Sequence, residues 1–173
     1  MKPESLIAIK KELKALEREE LIEICLKVAK YKKENKELIH YLVFESSDVD
    51  GYIDSVKKSL QAGFESLHPG IYLRSKEIRK ILRTLNKHIK FTGQPLAEVQ
   101  LLIWFSQQFL RYAGLTSSQK QLALLLFRVL QRIKKNLLKL HEDLLFDYRE
   151  EYETLLEQSS PKLKNFDLAS LGL

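Results

Sequence analysis

The chain lacks most of what marks secreted, disulfide-bonded or sheet-rich proteins. Of its 173 residues one is cysteine, six are glycine and four are proline. A lone Cys25 makes no internal disulfide, which fits a reducing compartment. Scarce Gly and Pro beside abundant Leu, Lys and Glu argue against β-sandwiches and disordered tails, and for helices. The hairpin dipeptides Asn-Gly and Gly-Asn are missing, and alternating apolar runs are too short for defensible strands. The start, Met1-Lys2-Pro3-Glu4-Ser5, has an early acid and no apolar core of the kind a secretory signal needs. No stretch approaches the roughly 18 uninterrupted apolar residues of a membrane span. The strongest candidate, 96–115, is interrupted by Glu98, Gln100, Gln107, Gln108 and Arg111. The expectation is a soluble, cytoplasmic protein without a membrane partner.

Chemical motifs are equally scarce. Gly51, Gly63, Gly70, Gly93 and Gly114 are isolated, so no Gly-rich phosphate loop exists, and there is no Gly-x-Ser-x-Gly elbow. His40, His68, His88 and His141 form no H-x-x-x-H pair. Glu-x-x-His, the pattern of di-metal bundles, occurs at Glu37–His40 and Glu65–His68. The second copy runs into Pro69-Gly70, where a helix must stop, so neither copy is read as a metal site. Cys25 shares helical spacing with Leu21 and Val28 and reads as a small core residue rather than a nucleophile. No cofactor, metal or catalytic residue is assigned. Enzyme activity would require a site assembled across separate helices.

What is present is helical periodicity. The expected fold is all-α: an irregular helical bundle or short helical array of about seven helices, with a long C-terminal helix. One domain is expected over 1–158, and a loose C-terminal arm over 159–173. The expected helices cover about 3–16, 18–33, 35–45, a fourth from a Ser47 cap to about 67, 72–91 and 95–114, then a last segment capped by Thr116-Ser117-Ser118. The 96–114 helix is apolar most of the way round and is expected to be the most buried, with Trp104 and Phe105 as core anchors. In the segment 35–45, Leu38, Ile39, Leu42 and Val43 are expected to be buried. From Leu122 to Leu155 apolar residues recur with a mean spacing of about 3.7, the period of a straight helix. One unbroken helix there would span about 60 Å. A rival reading breaks it near Leu140, because Glu142 and Asp143 suit a helix start, where negative charge is favoured.

The formal charge of +6 is unevenly laid out. Residues 66–141 carry 14 Lys and Arg against two acids, Glu77 and Glu98, a net +12. Residues 1–65 are at −1 and 142–173 at −5. Lys76, Lys80, Arg83, Lys87 and Lys90 fall within about 80° of one another on a helix and form a ridge about 21 Å long, opposite Ile78, Ile81, Leu82, Leu85 and Ile89. Arg128, Arg132, Lys135 and Lys139 form a second row opposite Val129, Ile133, Leu137 and Leu140. Three readings follow: a solvated outer face, charge pairing with the acidic Glu142, Glu150, Glu153 and Glu157 of the same or a second chain, or polyanion binding. Base-reading motifs are missing, so nucleic acid would be held through backbone contacts alone. The leading expectation is a non-enzymatic helical interaction module with a protein partner or self-association. The alternative is sequence-nonspecific nucleic-acid binding through the two rows.

Overall fold

The structure, a computed structural model, describes residues 2–116 and 118–173. Every regular element among them is helical, and no strand occurs. Eight α-helices are joined by one π-helical and two 3-10 segments. The chain divides into two compact units, residues 1–47 and 48–173.

The first unit holds α1 (Leu6–Leu13), α2 (Arg18–Tyr31) and α3 (Lys33–His40), followed by a π-helical turn, Tyr41–Glu45. Ser5 Oγ accepts from the Ala8 N–H at 3.2 Å and starts α1 two residues after Pro3. The Glu17 N–H donates to the Glu20 carboxylate at 3.0 Å, and α2 begins there. Lys32 is extended, with φ −144°, and separates α2 from α3. Asn35 Nδ2 bridges that break by donating to the Val28 carbonyl at 2.9 Å. The π turn closes as Ser46 Oγ donates to the Leu42 carbonyl.

Helices α1, α2 and α3 bury no residue. This corrects two expectations. Cys25 is exposed rather than a core residue. Leu42 and Val43 are also exposed, Leu38 and Ile39 only half-covered, and Tyr41 is the buried side chain of that segment. The apolar spacing is as read, but these side chains are left exposed or half-covered, Leu21 among the latter.

The second unit carries the core. Its helices are α4 (Val49–Glu65), α5 (Ile71–Thr92), α6 (Pro95–Tyr112), α7 (Lys120–Leu137) and α8 (Glu142–Ser159). Asp48, not Ser47, caps α4, accepting from the Gly51 N–H at 2.9 Å. Gly93 ends α5 at φ +62°, a left-handed position that favours glycine, and Gly114 follows α6 at φ +55°. Pro95 sits at the first turn of α6. The expected cap at Thr116-Ser117-Ser118 includes Ser117, which lies outside the described residues.

Helix α6 packs against α4, α5, α7 and α8. Its buried residues, Ala97, Val99, Leu101, Leu102, Ile103, Phe105, Ser106 and Phe109, span about two thirds of its circumference. Phe64 of α4 meets the Trp104 and Phe105 rings edge-on, at 5.7 and 5.5 Å between centroids. Trp104 is half-buried while Phe105 is fully covered.

The long C-terminal helix is two helices. Residues 138–141 interrupt it, and α8 restarts with Glu142 and Asp143 in its first turn. The apolar row runs through the break in phase, with Leu122, Leu126, Val129, Ile133 and Leu137 buried before it and Tyr152 and Leu155 after it. Beyond α8 the chain folds back through two 3-10 turns, 160–162 and 168–171, with Leu163 and Leu171 completely buried. The Tyr152 hydroxyl lies 3.0 Å from the Leu171 carbonyl and 3.2 Å from that of Leu130. Lys134 Nζ donates to the carbonyls of Ser170 and Gly172, and Phe166 stacks on Phe127 at 4.9 Å. The expected loose arm is therefore a packed segment.

Candidate functional site

Helix α5 presents the first basic row as its amphipathicity requires. Lys76, Lys80, Arg83 and Lys90 are exposed, and Lys87 is half-buried. Ile78, Ile81, Leu85 and Ile89 are buried on the other side. Lys76 Nζ lies 4.3 Å from the centre of the Tyr72 ring, a cation–π contact within α5. On α7, Arg128 and Lys135 are exposed and Arg132 is half-buried, while Lys139, the last of the expected row, falls in the break after α7 and is exposed.

Arg132 differs from the rest because it is tied to two other helices. Its Nε donates to Glu98 of α6 and its Nη1 to Asn86 of α5. Glu98, one of only two acids between residues 66 and 141, is thus spent on an internal ion pair. Lys139 Nζ, just past the end of α7, donates to Asn136 Oδ1 in its last turn at 2.8 Å. Glu142, Glu150, Glu153 and Glu157 of α8 are exposed and make no ion pair with either basic row among the described residues. Within one chain the acidic end does not neutralise the basic rows.

Between α5 and α7 runs an open groove of about 340 Å³. Leu82 of α5 and Leu124, Leu125 and Val129 of α7 supply its apolar lining. Arg128 and Arg132 stand along it, together with Arg79, which lay in neither row. Arg79 Nη2 donates to Gln121 Oε1 across the groove at 3.1 Å. None of Lys76, Lys80, Arg83, Lys87 or Lys90 lines it. Arg79 sits about 60° round the helix from Lys76. Only the packing of α5 beside α7 distinguishes that flank from the rest of the basic face.

The arrangement offers guanidinium groups over leucines, and it offers no nucleophile paired with a base. Charge-assisted contacts to anions and burial of an apolar side chain are what such a surface supplies. Among the described residues no group of three His, Cys, Asp or Glu is placed to hold a metal ion. Each Glu-x-x-His motif is otherwise engaged: His40 lies 3.4 Å from Glu45, Glu65 accepts from Gln61, and His68 Nδ1 accepts from the Gly70 N–H at 2.9 Å. Among the described residues no helix is long and apolar enough to cross a membrane.

The other candidate surface lies in the N-terminal unit, where exposed apolar side chains are concentrated. Leu6 and Ile7 are 83% and 84% exposed, and Phe44 is 70% exposed. Ile9, Ile22, Leu26, Val28 and Tyr31 are exposed as well. Sequence reasoning placed Leu21, Ile24, Cys25 and Val28 on one face of α2 and read Cys25 there as core, because periodicity marks an apolar face without saying what covers it.

No family model matches the chain, and no curated protein or solved structure is similar to it.

Proposed function

We propose that the chain is a non-enzymatic helical interaction module whose N-terminal helices dock onto a protein partner. One observation carries the reading. Helices α1, α2 and α3 bury none of their own residues, yet present Leu6, Ile7, Ile9, Ile22, Leu26 and Val28 to solvent. Twelve of the exposed large apolar side chains fall in this unit, and apolar surface left open on a folded chain marks contact sites. A photo-crosslinking residue at Ile7 or Leu26 of the full chain tests this in cells. A discrete protein adduct is expected, weakened by Leu6→Asp with Ile22→Asp. No adduct, or one of equal yield from exposed Lys58, would sink the reading.

The groove between α5 and α7 favours a second reading, polyanion binding through Arg79, Arg128 and the rows beside them. Its contacts would be to phosphates, so affinity would fall steeply with salt and depend little on sequence. Fluorescence anisotropy with single- and double-stranded DNA and RNA at two salt concentrations decides it. Binding weaker than tens of micromolar at low salt rejects it.

A further inference from the structure

Helices α7 and α8 are of equal length, 18 residues each, and carry matching rows of opposite charge. Along α7 the row is Lys120, Leu124, Arg128 and Lys135, all exposed. Along α8 it is Glu142, Phe146, Glu150 and Glu157, also all exposed. Each row occupies positions 1, 5, 9 and 16 of its helix. Two helices laid side by side in the same direction rise equally per residue, about 1.5 Å, so the rows stay in register over about 22 Å. Each row also spans only about 80° of its helix, so it lies on a single face.

In that register one apolar pair meets between flanking ion pairs. Phe146 is 77% exposed, the most exposed aromatic residue of the second unit, and its helical neighbours are Glu142, Asp143 and Glu150 with one cation, Arg149. Its counterpart is Leu124, at the groove that Leu82 and Leu125 also line. Glu142 would meet Lys120, Glu150 would meet Arg128, and Glu157 would meet Lys135. None of these six charged groups has an ion pair or hydrogen bond to a side chain among the described residues. Arg132, the groove residue already committed to Glu98 and Asn86, stands outside the row.

We propose that the α7 row binds the α8 row of a second copy of this chain. The occupant is chosen by charge and spacing together. A free polyanion would satisfy the cations but leave Phe146 and the acidic face open. The segment bearing the cations is at +12 and the one bearing the carboxylates at −5, so two copies attract at these faces. The proposal uses only residues of the second unit, so it stands or falls apart from the N-terminal docking surface. Exposed ion pairs are individually weak, so association in the range of about 10–500 µM is expected, weakening as salt rises.

Sedimentation velocity of the full chain over that range tests it, with three variants checked for helicity by circular dichroism. Arg128→Glu with Lys135→Glu, and separately Glu150→Lys with Glu157→Lys, should each weaken self-association at least about tenfold by placing like charges together. An equimolar mixture of the two should associate again, because reversed faces complement one another. Phe146→Ala should weaken association while leaving its salt dependence. A wild-type chain that stays monomeric to about 1 mM overturns the proposal. So do variants that assemble like the wild type, or a mixture that stays monomeric when each variant alone does. Nucleic-acid binding that Arg128→Glu with Lys135→Glu abolishes, with no oligomer in the wild type, would assign the row to a polyanion instead.

Discussion

Residues 2–47 and residues 48–173 are built from similar helices but keep their apolar faces in opposite states. In the second unit the faces of α4, α5, α6 and α7 converge, and Ile78, Leu85, Leu101, Phe105, Leu126 and Ile133 lose essentially all contact with solvent. In the first unit α2 has a comparable stripe, and Ile24, Leu26 and Val28 remain exposed. The amphipathic pattern is therefore not what distinguishes a core from a contact surface. Convergence of several such faces is, because burial stabilises only when apolar area is actually removed from water.

The largest test of this contrast is a core truncation. Phe105→Ala should cost about 3–5 kcal/mol, since Phe105 is fully buried on the side of α6 that faces the core and the space cannot collapse from one edge. Urea unfolding followed by circular dichroism reads it. A cost under about 1 kcal/mol would mean that α6 does not hold the second unit together.

Next in size is the clip on the C-terminal segment. Tyr152→Phe should cost about 1–2 kcal/mol, because the Leu130 and Leu171 carbonyls lose the hydroxyl between them. Burial also raises the Tyr152 pKa well above the ordinary value of 10.0. An unfolded chain ionises this phenol above pH 10 while the folded one keeps it protonated. The stability it contributes is thus complete below pH 10 and is lost as pH rises toward the folded pKa. Each pH unit in that window should remove about 1.4 kcal/mol, and Tyr152→Phe should flatten the slope by that amount. An unchanged slope would place the C-terminal segment outside the cooperative fold.

Smaller again is the three-helix tie at Arg132. Glu98→Gln keeps the shape but removes the charge that Arg132 Nε meets. Arg132 is part-exposed and solvent screens it, so a cost of about 1 kcal/mol is expected. The same unfolding measurement checks it. No loss would leave Asn86 as sufficient to fix Arg132 beside the groove.

The sequence made much of the second unit readable and hid the state of the first. Pro69-Gly70, Gly93 and Gly114 mark real boundaries because a proline lacks its N–H and a left-handed residue favours glycine. The apolar character of α6 most of the way round correctly placed it at the centre. The break at residues 138–141 was hard to see because the apolar row continues in phase through it; Glu142 and Asp143 were its one trace. Arg79 was missed since its role depends on which flank of α5 lies beside α7, a tertiary fact with no local signature. The cover on α2 was misread for the same reason. A stripe at Leu21, Ile24, Cys25 and Val28 has one spacing whether it faces a core or open solvent.

The smallest expected effect comes from another face of the same helix. Leu26→Ser, at a residue 52% exposed in α2, should change the stability of the second unit by no more than about 0.5 kcal/mol. Ile7→Ser, in α1, should do the same. Neither side chain belongs to the buried core, so its loss opens no cavity. The serine also replaces exposed apolar surface with a hydroxyl that water can satisfy. Urea midpoints should therefore be unchanged, while any photo-adduct formed from neighbouring positions should weaken. A loss of several kcal/mol on Leu26→Ser would show that α2 is core after all. The contrast between the units would then disappear, and the docking surface with it.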